Sequence, residues 1–188
     1  MTAPGARRAS RVYLTGFMGS GKSTVGPLLA RALGFEFIDL DAVIEEKEGT
    51  TIPDIFSVRG EKEFRGIERR ELALLGARGN MVVATGGGML TDAASFDLVR
   101  SSGVLVYLRV SPGVLFERLR GVHGRPMISD AAGTPLPEHE LRARIETLLS
   151  TRERNYLQAH IVVDTAGQSP ADTVTSIVAA LERLGNAG

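Results

Sequence analysis

The sequence predicts a doubly wound α/β domain: a five-stranded parallel sheet between two layers of helices. Three observations lead there. Five short apolar runs, rich in β-branched and aromatic residues, recur along the 188 residues. The runs are nearly continuous rather than alternating, as strands covered on both faces require. Segments with helical spacing lie between them, and strand–helix alternation builds a parallel sheet with right-handed crossovers. Ligands are then expected at the carboxyl ends of the strands.

In chain order, the first run is RVYLTG (11–16), followed by a glycine-rich turn. Val25, Leu28, Leu29, Ala32 and Leu33 then mark a helix that stops at Gly34. FEFID (35–39) is the second strand and MVVAT (81–85) the third. Between them, 41–70 inserts two helical pieces, with helical spacing continuing over roughly 60–77. VLVYLRV (104–110) is the fourth strand. The Gly- and Pro-rich stretch GVHGRPMISDAAGTPLP (121–137) predicts a mobile lid. A helix over about 137–158 precedes the last strand, HIVVD (160–164). SPAD then opens a final helix, with Pro170 in its first turn and Val174, Ile177, Val178 and Leu181 along one face. Residues 1–10 read as a flexible tail on one domain spanning 1–188.

Composition narrows the functions. Lys+Arg and Asp+Glu are both 22, and zero net charge argues against a broad nucleic-acid or membrane surface. Without cysteine there is no disulfide, thiol catalysis or thiolate metal site. No apolar run approaches the ~20 residues of a membrane span, and the start lacks the apolar core of a secretory signal. A cytoplasmic monomer is expected.

GFMGSGKS (Gly16–Ser23) matches GxxxxGK[ST], between an apolar strand and a helix. Backbone N–H groups of Gly19, Ser20, Gly21 and the residues through Thr24 can turn inward around phosphates at a helix N-terminus. Lys22 can reach the β/γ-phosphates, and Ser23 can offer its hydroxyl to Mg²⁺. The competing reading is a glycine-rich turn with a surface lysine, and the flanking strand and helix weigh against it.

Three constellations bear on the phosphoryl acceptor. Asp39 closes the second strand, where a carboxylate can hold Mg²⁺ through its water shell. Asp41 opens the next helix, as an N-terminal cap or as a ligand contact. In GEKEFRGIERRE, Glu61, Arg65 and Glu68 share a helical face. Arg65 sits beside Phe64 and Ile67, where Glu68 could hold its guanidinium toward a carboxylate. Arg69, Arg70 and Glu71 read as a solvated, salt-bridged face. Gly86, Gly87 and Gly88 follow the third strand and would bring bare backbone N–H groups to a ligand.

Together, Gly16–Ser23, Asp39-Leu40-Asp41, Phe64-Arg65 with Glu68, and Gly86-Gly87-Gly88 resemble the shikimate kinase family, from Val12 to about Pro170. The resemblance implies a P-loop NTPase-type three-layer α/β/α fold and γ-phosphoryl transfer from ATP to the 3-hydroxyl of shikimate, with Mg²⁺. It implies that Lys22 and Ser23 hold nucleotide and metal, that Asp39 serves the metal, and that Asp41 binds the shikimate hydroxyls as candidate base. Arg65 would grip the shikimate carboxylate, oriented by Glu68. Gly86, Gly87 and Gly88 would run along the substrate, between apolar walls at Phe56 and Phe64. RPMI resembles the family's lid motif, with Met127 and Ile128 for leucines, and makes Arg125 the lid arginine over the phosphates. Arg118 is the choice for stacking on adenine, with Arg120 the alternative and Pro170 on the other side of the base. Arg152, at the family's distance before Tyr156, is the choice for a second carboxylate-binding arginine, with Arg154 the competitor; Arg154 and Asn155 stand where the family has a Pro-Leu-like pair. The stretch 129–139 is longer than in compact members. The rival readings are a gluconate-type or nucleoside monophosphate kinase, and a nucleotide-binding module without acceptor chemistry.

Overall fold

The computed structural model describes residues 10–76, 78–122, 126–130 and 133–186. Five strands form one sheet: β1 (Arg11–Thr15), β2 (Glu36–Asp39), β3 (Met81–Ala84), β4 (Val104–Arg109) and β5 (Ile161–Asp164). Their order is β2-β3-β1-β4-β5, and every neighbouring pair is parallel. The third strand therefore lies between the first two. That places the loops after β1, β2 and β3 side by side at their carboxyl ends.

The helices are α1 (Lys22–Leu33), α2 (Leu40–Glu48), α3 (Ile52–Gly76), α4 (Ala93–Ser102), α5 (Pro112–Leu119), α6 (Glu138–Tyr156) and α7 (Pro170–Asn186). The period-two alternation of strands sorts the core into two layers. Val12, Leu14, Val82, Val106 and Leu108 pack with Val25 and Leu29 of α1 and Val174 and Ile177 of α7. Tyr13, Met81, Val83, Leu105 and Tyr107 pack with the apolar faces of α2 to α6. Coverage on both faces holds for the inner strands and fails at β5, where Ile161 and Val163 are buried but Val162 is 39% exposed.

Sequence spacing alone did not single out α4 and α5. Both carry capping signals. Asp92 accepts from the backbone N–H of Ser95 at 2.9 Å to start α4, and Ser111 caps α5 ahead of Pro112 in its first turn.

The two helical pieces of the insertion are α2 and α3, and α3 begins earlier than the 60–77 spacing suggests. Its helix breaks at Gly60, with φ 80° and ψ 168°. The break lets the part carrying Phe56 turn relative to the part carrying Arg65. Ion pairs tie the insertion together: Glu48 accepts from Arg59 at 2.7 Å and Arg70 at 2.9 Å. Lys47 reaches Glu71 at 2.5 Å. Glu71 is only 3% exposed, so the solvated face expected for it is corrected: it lies between α2 and α3, where Lys47 offsets its burial.

Gly60 and Gly66 make opposite predictions. The Gly60 backbone lies in a region essentially closed to side chains, so Gly60→Ala should lower unfolding stability by about 1–3 kcal/mol. Gly66 lies within the helix with open space where a Cβ would stand, so Gly66→Ala should be neutral or stabilising by up to about 1 kcal/mol. Denaturant titration of both variants checks this, and equal effects would contradict the kink.

Candidate active site

A cavity of about 1150 Å³ opens at the carboxyl ends of β1, β2 and β3. Its wall includes Gly19, Ser20, Gly21, Lys22, Ser23, Thr24, Arg118 and Pro170 together with Asp41, Phe56, Phe64, Arg65, Glu68, Gly86, Gly87, Gly88 and Arg152. Asp39 lines it as well.

The glycine-rich loop is held by its own backbone. Ser20 N–H donates to the Phe17 carbonyl at 3.1 Å, and Val25 N–H to that of Gly21 at 2.8 Å. Gly16 has φ 147°, and a Cβ there would lie 2.8 Å from both the Leu108 carbonyl and Ser20 Oγ. The loop can therefore start only from glycine without shifting β4. Lys22 Nζ donates to the carbonyls of Gly16 at 2.8 Å and Phe17 at 3.1 Å. Arg118 Nη1 donates to the Gly19 carbonyl at 2.9 Å, which fastens α5 to the loop. Arg120 instead lies 3.1 Å from Glu117 and is not part of the cavity wall. Gln168 and Thr165, which the sequence reading missed, join Pro170 in that wall.

Asp39 and Asp41 differ in geometry. Asp39 is extended, with φ −94° and ψ 112°, and accepts from Asp41 N–H at 3.2 Å. The cap of α2 is thus Asp39. The capping considered for Asp41 is corrected, because Asp41 already lies inside the first turn. Ser23 and Asp39 offer a hydroxyl and a carboxylate to the same cavity. Among the described residues, no cluster of three or more His, Cys, Asp or Glu could enclose a metal. Two hard oxygen donors fit Mg²⁺, which usually takes few protein ligands and completes its shell with phosphates and water.

The acceptor half is built around the glycine strip. Arg65 Nη1 donates to Glu68 Oε2 at 2.5 Å, and Arg65 Nη2 to Glu61 Oε1 at 3.1 Å. Phe56 and Phe64 pack at 4.5 Å between centroids, with the Arg65 guanidinium carbon 5.9 Å and 5.3 Å from their rings. A Cβ on Gly86 would lie 3.0 Å from both Asp41 Oδ1 and Glu68 Oε1. On Gly88 it would lie 2.5 Å from Arg65 Nη2. None of the three glycines has positive φ. Gly86 and Gly88 matter for their missing side chains, since carboxylates stand over the first and the Arg65 guanidinium over the last.

Burial pushes Glu68 up to about 7, outweighing the pull of Arg65, and Asp41 and Asp92 add to the rise. Burial alone would lower Arg65, but Glu68 and Glu61 carry it above its ordinary value. Glu68 is fully buried, and among the described residues its Oε1 has no hydrogen-bond partner.

From the far side, α6 presents Arg152, whose guanidinium carbon lies 5.9 Å from the Phe17 ring. Arg154 is exposed and outside the cavity wall. Sequence reasoning gave no role to Tyr156, whose hydroxyl donates to the Gly87 carbonyl. Arg125 lies outside the described residues. Next to it, Met127 lines the cavity and Ile128 is buried. Leu136 N–H donates to the Ile128 carbonyl at 3.2 Å, and Ser129 and Pro135 form an antiparallel bridge. The described part of the 121–137 stretch therefore includes a small turn rooted in the core.

The family model for shikimate kinase matches residues 18–182. A shikimate kinase of Chlorobaculum tepidum is 45% identical over 174 residues, covering 93% of this chain and 91% of its own. Among solved structures, the shikimate kinase of Acinetobacter baumannii in complex with shikimate superimposes with a TM-score of 0.81 at 35% identity, covering 90% of each chain. A gluconokinase from Sinorhizobium meliloti 1021 gives a TM-score of 0.55 at 28% identity, covering 96% of this chain and 95% of its own.

The elevated Glu68 makes a signed prediction. Its folded value of about 7 exceeds the ordinary 4.5, so the folded state holds more protons between those pH values. Stability then falls as pH rises from about 4.5 to 7. The stability of the unaltered protein minus that of Glu68→Gln should fall across that window by on the order of 3 kcal/mol, then flatten. Denaturant unfolding at pH 5 to 8 measures it, and a rise with pH in the unaltered protein's stability relative to the variant would contradict the burial argument.

Proposed function

We infer how the cavity works from one premise: this chain belongs to the shikimate kinase family. It is an ATP-dependent phosphotransferase that moves the γ-phosphoryl group to shikimate, giving shikimate 3-phosphate and ADP. The assignment of residues rests on one observation: the phosphate loop and the Arg65–Glu68 pair over Gly86–Gly88 line the same cavity.

The phosphates of ATP lie along Gly19 to Thr24, where backbone N–H groups and the N-terminus of α1 favour negative charge. Lys22 leaves its loop carbonyls for the β/γ-phosphates, and Arg118 and Pro170 flank the adenine. Ser23 and Asp39 would hold Mg²⁺, which supplies charge neutralisation on the phosphates when bound. The sequence motif makes Arg125 the arginine of a lid spanning 121–137, which excludes water as it closes. In the acceptor half, Arg65, oriented by Glu68, and Arg152 bind the shikimate carboxylate. Phe56 and Phe64 wall the ring, and Gly86, Gly87 and Gly88 run beneath it. Asp41 orients the 3-hydroxyl and takes its proton late, because phosphoryl transfer usually passes through a loose transition state governed by positioning. A monomer in the cytoplasm, with no nucleic-acid or membrane partner, is part of the same reading. The zero net charge argues against a broad nucleic-acid or membrane surface, and no helix among the described residues is long and apolar enough to cross a membrane.

Incubation with Mg·ATP and shikimate, followed by identification of the phosphorylated product, tests the reaction. Shikimate 3-phosphate is expected, and phosphorylation of gluconate in preference would contradict it. Arg65→Ala should raise KM for shikimate at least about thirtyfold with little change for ATP. Asp41→Asn should lower kcat by about 10²–10⁴-fold. Equal weakening of both substrates by the first, or unaltered kinetics in the second, would overturn those roles.

A further inference from the structure

We propose that Tyr156 is a positioning residue for the acceptor half: its hydroxyl ties Arg152 to the Gly87 carbonyl, with Asn155 as a second tie to the same loop. The inference rests on the reading of Arg152 as a carboxylate anchor.

Arg65 and Arg152 are held differently. Arg65 has two carboxylates, Glu61 and Glu68, within ion-pair distance. Among the described residues, Arg152 has no ion-pair partner; its flexible side chain needs something else to fix its direction. Tyr156 stands one helical turn further along α6, at the i, i+4 spacing that places side chains on one face. A Cβ on Gly87 would lie 3.6 Å from the Tyr156 hydroxyl, 3.7 Å from Arg152 Nη1 and 3.3 Å from the Gly16 carbonyl. Phenol, guanidinium, glycine strip and the start of the phosphate loop thus meet around one point.

The phenol is well suited to hold that point. Tyr156 is 1% exposed and its ring packs on Tyr107 of β4 with centroids 4.9 Å apart, so it cannot swing away. Burial pushes its pKa up, against the opposing charge and hydrogen bonding of Arg152. The neutral hydroxyl donates to the Gly87 carbonyl and leaves its lone pairs to the guanidinium. One residue earlier, Asn155 Nδ2 donates to the Leu90 carbonyl at 3.0 Å. Asn155 belongs to the pair that departs from the family pattern, and its amide adds a bond that an apolar side chain could not make. Adjacent residues on α6 therefore grip both ends of the 87–90 turn.

The test is a steady-state cycle with Tyr156→Phe, Arg152→Ala and the double variant, reading KM for shikimate and for ATP separately. Tyr156→Phe should raise KM for shikimate about tenfold, as expected for a lost hydrogen bond to a charged group, with KM for ATP within about twofold. In the Arg152→Ala background the same change should add less than about twofold, because no anchor remains to be oriented. An unaltered KM for shikimate in Tyr156→Phe, equal rises for both substrates, or full additivity would overturn the proposal. If Arg152→Ala itself leaves shikimate binding intact, the anchor reading fails, and this inference with it; if only Tyr156→Phe is silent, the anchor stands and the positioning role alone fails. Should Tyr156→Phe not fold, Asn155→Leu carries the test: a rise of about threefold in KM for shikimate alone supports the clamp, and no change overturns it.

Discussion

Close approach of charged side chains to bare backbone at Gly86, Gly87 and Gly88 is the constraint on which the acceptor half of the cavity depends. Asp41 and Glu68 stand over the first glycine, Tyr156 and Arg152 over the second, and Arg65 over the third. With a methyl group at Gly86 or Gly88 the strip could no longer sit so close to those side chains. The arrangement has an electrostatic cost. Glu68 is fully buried beside Asp41, and the Arg65 guanidinium offsets only part of the desolvation, so Glu68 titrates near neutrality. A buried pair of this kind is weak support for stability. It makes better sense as a way of fixing the guanidinium before the substrate arrives.

Topology brings this strip to the phosphate loop. Because β3 pairs directly with β1, the turn after β3 runs beside the turn after β1, and the Gly87 Cβ position is 3.3 Å from the Gly16 carbonyl. Asp39, at the end of β2 on the other side of β3, caps α2 and thereby sets where Asp41 emerges. The phosphate loop and the glycine strip are consequently parts of one backbone framework. The insertion adds a wall whose angle is set at Gly60 and braced by the ion pairs of Glu48 and Glu71.

Much of this was legible in the sequence, and the exceptions have physical causes. The five strands announce themselves through continuous apolar runs, and the phosphate loop through glycines and a lysine at fixed spacing. Helix α5 was hidden because SPG reads as a turn, although Ser111 and Pro112 are also a helix start. The aspartates were distinguishable by position, but which one caps α2 depends on the backbone angles at Asp39. Glu71 looked solvated in a run of charges and proved buried, since the partner that stabilises it, Lys47, comes from another helix. The spacing of the glycine strip pointed to a site, while the reason for glycine lay in side chains from residues 41 to 156, which meet only in the folded chain. Tyr156 was visible only as the residue that ends the arginine motif; its role was hidden because its hydrogen-bond acceptor is Gly87, far away in sequence.

The central claim, that missing side chains on the strip position the substrate-binding charges, is tested most directly at Gly88. Its backbone, φ −101° and ψ −6°, suits alanine, and the nearest obstacle is the far end of the Arg65 side chain. Steady-state kinetics of Gly88→Ala, with unfolding measured alongside, should show KM for shikimate raised at least about tenfold. KM for ATP should be unchanged, and stability should lie within about 1 kcal/mol of the parent. A folded variant whose KM for shikimate matches the parent would contradict the claim.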